Sequence, residues 1–90
     1  MNDNIPPQPK NSFRIAIELN RAEKRLDNVL LQALKEQKEN LNLKIITRSA
    51  FKELFNSGRV QIKGQNARPS SGVAKGITYV DILGFKQKEP

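Results

Sequence analysis

Cysteine and histidine are both missing from this 90-residue chain. Their absence removes disulfide staples, thiolate chemistry, the commonest zinc ligands and the side chain most used for proton transfer near neutral pH. No metal site and no cofactor is therefore expected. Long hydrophobic runs are missing too: none approaches the roughly 18–20 residues that a membrane span needs. The opening Met1-Asn2-Asp3-Asn4-Ile5-Pro6-Pro7 lacks the charged and apolar regions of a signal peptide, so the expectation is a cytoplasmic protein with no membrane partner. A single domain of this length buries only about 60% of the surface its unfolded chain exposes, which leaves no room for a deep catalytic cleft.

Acidic residues are the other scarce class. Nine Asp and Glu face sixteen Lys and Arg, a formal net charge of +7. Lys44, Arg48, Lys52, Arg59, Lys63, Arg68 and Lys75 fall in one stretch whose sole acid is Glu53, so about a third of the chain carries +6 of that charge. Scattered lysines do no more than keep a surface solvated. Segregation of one sign points to a face that binds an anionic partner.

Along the chain, Pro6, Pro7 and Pro9 among Asn, Gln and Lys predict a disordered tail over 1–12, because that composition buries too little apolar surface to offset ordering entropy. Phe13, Ile15, Ile17 and Leu19 then alternate with Arg14, Ala16 and Glu18, the period of a half-buried strand. Leu26, Val29, Leu30, Ala33 and Leu34 follow three- and four-residue steps and predict a helix that frays near Gln37 to Asn40. The connection from Leu41 to Ile46 has no readable local structure. Thr47 suits a helix N-cap, Ala50, Phe51, Leu54 and Phe55 supply a second apolar stripe, and Ser57-Gly58 ends that helix. Val60 and Ile62 mark a short strand with a turn at Gly64, Asn66 to Gly76 reads as a loop, and Ile77 to Leu83 as the strand that pairs with Val60–Ile62. A domain over 13–84 and a loose C-terminus over 85–90 follow.

Arg48 and Lys52 stand four apart on the second helix, expected on the face opposite Phe51, Leu54 and Phe55. Arg59 at the helix exit and Lys63 at the hairpin turn are expected to join them along one run of phosphates. Phe13, Phe51 and Phe55 fall on core faces, which leaves Tyr79 and Phe85 as the candidate platforms for stacking a base.

Arg25-Leu26-Asp27 opening one helix, Thr47-Arg48-Ser49-Ala50 opening another, and Gly58-Arg59-Val60-Gln61-Ile62-Lys63-Gly64-Gln65 after it make an ordered set over roughly Arg25 to Ile82. This set resembles the S4 RNA-binding domain, with Thr47 in place of the family's usual serine, Lys63 in place of asparagine and Gln65 in place of lysine. The lead-in Arg14-Ile15-Ala16-Ile17-Glu18 is similar to that of S4 domains preceding the catalytic domain of RNA pseudouridine synthases. The resemblance implies an α+β fold of two antiparallel helices packed on a small, mainly antiparallel sheet. It also implies a monomeric binding module, not an enzyme, that grips structured RNA such as ribosomal or transfer RNA, or the ribosome itself. The alternative is the accessory domain of a pseudouridine synthase or other RNA-modifying enzyme whose catalytic domain lies elsewhere. Carried over by position, the RNA-binding residues are Arg25, Arg48, Ser49, Lys52, Arg59 and Lys63, with Arg68 and Lys75 contributed by the loop. Asp27 would repel phosphate and reads as structural, near the positive end of the first helix. An adaptor docking on an acidic protein is a further reading of the same charge; a membrane surface is disfavoured because both apolar stripes are needed for the core.

Overall fold

The alternation from Phe13 onward becomes strand β1 (Ser12–Leu19) in the computed structural model, which describes residues 5–85; Phe13, Ile15 and Ile17 face the core. Helices α1 (Leu26–Glu36), α2 (Leu41–Lys44) and α3 (Arg48–Asn56) follow, then strands β2 (Val60–Ile62), β3 (Gln65–Asn66) and β4 (Gly76–Leu83). The strands form one sheet in the order β1-β4-β2-β3, every neighbouring pair antiparallel. The described residues thus make a small α+β domain. Leu26, Leu30 and Leu34 of α1 and Phe51, Leu54 and Phe55 of α3 bury against Phe13, Ile15, Ile17, Val60, Val80 and Ile82 of the sheet. Phe51 and Phe55 meet edge to face, their centroids 5.3 Å apart. Ala50, expected on that stripe, is exposed. No helix among the described residues is long and apolar enough to cross a membrane.

Three helices replace the expected two, because the segment after Glu36 makes its own turn. The Gln37 side chain accepts from the backbone N–H of Glu39 and Asn40, both at 2.8 Å, and the Asn40 side chain caps α2 by accepting from Leu43 N–H at 3.1 Å. Leu43, fully buried, ties that turn to the core.

The start of α1 is closed from a distance. Arg25 is extended and offers no side-chain cap; instead Leu26 N–H donates to the Ser71 carbonyl at 2.8 Å and Asp27 N–H to that of Pro69 at 3.0 Å. A two-bond bridge between Glu23 and Val73, 2.9 Å each way, continues this contact. The loop after β3 therefore lies across the head of α1. At α3, Thr47 Oγ1 accepts from Ala50 N–H at 3.1 Å, the cap expected from its hydroxyl. Arg59 N–H to Leu54 O at 2.9 Å and Gly58 N–H to Phe55 O at 3.1 Å close the other end, with Gly58 left-handed at φ 73°.

Lys63 and Gly64 form the two-residue β2–β3 turn with positive φ at both positions, 55° and 78°, the mark of a type I′ hairpin. Lysine is a poor residue there, since its Cβ crowds the backbone where asparagine is tolerated. Lys63→Asn is therefore expected to stabilise the domain by about 1 kcal/mol, read as a higher urea midpoint at unchanged slope. A lower midpoint would show that the turn carries no strain.

Residues 5–12 of the expected tail are tied to the sheet. Arg14 donates to the carbonyls of Pro6 at 2.6 Å and Pro7 at 3.1 Å, Ser12 Oγ donates to Pro9 O at 2.6 Å, and β1 begins at Ser12, one residue before the expected domain start. The segment buries little apolar surface, but its carbonyls satisfy the Arg14 guanidinium held under them. Residues 1–4 of that tail and 86–90 of the expected loose C-terminus lie outside the described residues, while Phe85 packs against the core.

Candidate nucleic-acid interface

Helix α3 brings Arg48 and Lys52 one turn apart along the rim of a groove of about 390 Å³, and the head of α1 supplies Arg25 across from them. Phe51, Phe55 and Leu31 form its apolar floor, and Asp27, Asn28, Asn56 and Pro69 complete its walls. The two cations do not stand opposite the apolar stripe, as expected, but flank it. At 3.6 residues per turn, Arg48 and Phe51 are about 60° apart around the helix axis, and so are Lys52 and Phe55. That offset places charge beside the edges of two aromatic rings that are otherwise buried in the core.

Arg25 does not reach into the groove unaccompanied. Its Nε and Nη2 donate to the two carboxylate oxygens of Asp27 at 3.1 and 3.0 Å, and Asp27 also accepts from Asn28 N–H at 2.8 Å. The hydrogen bonds from Arg25 hold the Asp27 carboxyl below its ordinary value, and those to Asp27 raise the Arg25 guanidinium above its own. The pair is ionised near neutrality and fixes the guanidinium plane. Asp27 thus stands at the helix start with its carboxylate on the Arg25 guanidinium.

The leading amides of α1, those of Leu26, Asp27 and Asn28, are already taken by Ser71 O, Pro69 O and the Asp27 carboxylate. Any phosphate at that end must be held by side chains. At α3 the first two amides, Arg48 and Ser49, have no hydrogen-bond acceptor among the described residues. Ser49 lies exposed outside the groove, so it would contribute by its backbone rather than by lining the floor.

The remaining cations divide. Lys63 and Lys75 line a second cleft, of about 590 Å³, between the β2–β3 hairpin, the following loop and the first half of β4. Arg59 lines neither; its guanidinium lies beside Gly84, with Nη1 3.4 Å from where a Cβ on that glycine would stand. Arg68 lines neither and sits in a tight turn, its N–H donating to Ser71 Oγ at 3.0 Å. Of the four residues expected along one run, Arg48 and Lys52 line the first groove, Lys63 lines the second and Arg59 lines neither. The loop between Ala67 and Lys75 borders both, with Pro69 at the first and Ser71 at the second. Among the described residues, Arg48, Lys52, Arg59, Lys63, Arg68 and Lys75 make no ion pair. Lys44 is different: its Nζ donates to Lys35 O at 2.5 Å, closing the end of α1.

Asn28, Asn56 and Pro69 had no sequence signal as site residues, since only the folding of the loop onto α1 brings Pro69 there. Among the described residues no cluster of three His, Cys, Asp or Glu could hold a metal ion. No family model, curated protein or solved structure matches the chain.

Proposed function

We propose that this protein is an S4-type binding module for structured RNA, with ribosomal or transfer RNA as the partner class. The observation that carries the proposal is the pair Arg48 and Lys52, exposed, in no ion pair among the described residues and set beside the Arg25–Asp27 pair over one groove. A groove of about 390 Å³ lies at the small end of the range for compact ligands, roughly 300–1,000 Å³. Its three cations against the single acid Asp27 leave a net positive charge that suits a phosphate backbone better than an uncharged molecule. Lysine supplies a mobile point charge, whereas the two guanidinium groups add planar, fork-like donors that match phosphate oxygens. An aromatic floor held beneath them accepts a ribose or base edge without reading its identity, consistent with recognition by shape.

The order of motifs that resembles the S4 family supports the same reading. Arg25-Leu26-Asp27 and Thr47-Arg48-Ser49-Ala50 open the two helices that flank the groove, although they are distant in sequence. An RNA held this way releases counterions on binding. Contact with four to six phosphates gives a slope of log affinity against log salt of about −3 to −5. Titration of a labelled ribosomal RNA fragment at several potassium chloride concentrations measures it, and a salt-independent affinity would refute the reading.

A further inference from the structure

The sheet is incomplete beside β4. Strand β2 pairs with β4 only at Val60 with Ile82 and Gln61 with Asp81, and Leu83 N–H donates to Arg59 O at 2.8 Å. Continued two residues further, the ladder would join Lys63 to Tyr79. Lys63 instead leaves the strand for the left-handed turn, and β2 parts from β4 there. Alternate residues of a strand turn their amides to the same side, so Ile77 and Tyr79 direct theirs, as Leu83 does, toward the space where no strand follows. The second cleft occupies that space.

Its chemistry is one-sided. Lys63 and Lys75 bracket it, neither in an ion pair, and no acid is among its lining residues. Glu18 opposes Ile77 across β1 and β4, so its carboxylate stands on the same face beyond the cleft's edge, and Asp81, two residues past Tyr79 on that face, is held by Arg14. Ile77, 57% exposed, and Tyr79 stand on one face of β4 two residues apart, an apolar side chain next to a ring. The Arg14 guanidinium lies 5.4 Å from the Tyr79 ring centroid and steadies the ring from behind the sheet's own ion pair. Gln65 and Asn66, both exposed, bring amide side chains that both donate and accept.

We infer that this cleft is a second RNA subsite, which takes a short unpaired stretch with a base on Tyr79 and phosphates on Lys63 and Lys75. It rests on the RNA reading above and adds a single-strand preference to it. The left-handed Lys63 fits this role: a residue costly to the turn is the one that puts charge over the cleft. A dry apolar cleft would favour a peptide; two unpaired cations and the absence of acids favour a polyanion with flat groups.

Tyr79 is the sole tyrosine and the chain has no tryptophan, so intrinsic fluorescence near 300 nm, roughly, reports that ring alone. The full chain is titrated with an oligoadenylate octamer, with inorganic tripolyphosphate as the base-free anion and with polyglutamate. Oligoadenylate is expected to quench Tyr79 roughly twofold, tripolyphosphate and polyglutamate far less. Lys75→Glu and Tyr79→Leu should each weaken binding of a labelled octamer about tenfold, while Tyr79→Phe retains it. Equal quenching by all three ligands, or none by oligoadenylate, overturns the subsite; a response to polyglutamate alone assigns the cleft to an acidic protein. Failure of the two proposals is distinguishable. A variant carrying Arg48→Glu and Lys52→Glu should lose a folded RNA hairpin yet keep the oligoadenylate quench. Hairpin binding without quench removes only the second site, and quench without hairpin binding removes only the first.

Discussion

Arg14→Met is expected to destabilise the domain by about 3–5 kcal/mol, the range for stripping one partner from a buried ion pair. Asp81 is 1% exposed, and its two carboxylate oxygens accept from Arg14 Nε at 2.7 Å and Nη2 at 2.9 Å. Those hydrogen bonds raise the Arg14 guanidinium above its ordinary value, and with the Pro6 and Pro7 carbonyls they occupy each of its nitrogens. The pair sits directly across β1 and β4, third from one end of their eight-pair ladder. Without Arg14, a carboxylate is left among Gln61, Tyr79 and the strand backbones with no cation to meet it. A domain this small has a total stability near the low end of about 5–15 kcal/mol, so the variant should be largely unfolded at ambient temperature. Urea denaturation followed by far-ultraviolet circular dichroism measures the loss, and a change under 1 kcal/mol, roughly, would contradict it. Arg14→Met combined with Asp81→Leu should recover most of the stability, because replacing both partners with apolar groups removes the stranded charge.

The second large effect concerns binding and leaves the fold alone. Reversing Arg48 and Lys52 to glutamate together should weaken structured RNA at least tenfold, about 1.4 kcal/mol or more. Both side chains are exposed, without ion pairs, on a helix whose stability comes from Thr47, Gly58 and its apolar stripe. The urea midpoint should therefore hardly move. Each lost phosphate contact also removes about one unit of salt slope, so the slope should become shallower by about two. Unchanged affinity with unchanged slope would place the RNA elsewhere on the molecule.

Local patterns were readable from the sequence wherever one element decides its own geometry. The alternation from Phe13, the Leu26–Leu34 stripe, the Thr47 hydroxyl and the glycine at 58 each reflect a constraint acting within a few residues, and the corresponding elements stand where those constraints put them. What the sequence hid depends on contacts between distant segments. Arg14 and Asp81 are 67 residues apart, and nothing local marks either as a partner. The Ser71 and Pro69 carbonyls cap α1 from a loop whose composition announces only irregularity. Lys63 looked like a hairpin-tip cation, but its left-handed backbone depends on where β2 stops. The candidate site was legible as a set of basic residues and illegible as two surfaces, because charge can be counted along a chain whereas its grouping in space follows from how the loop after β3 folds back.

The strand order β1-β4-β2-β3 places the last of the described strands between the first and the second. During synthesis from the amino end, helices can form as they emerge, but the first strand has no neighbour to pair with until residue 83 has left the ribosome. The short β2–β3 hairpin can pair earlier, but the joining of β1 to the sheet is a late event. Until then Phe13, Ile15 and Ile17 stay uncovered on a nascent chain, within reach of whatever chaperone or neighbouring polypeptide waits at the exit.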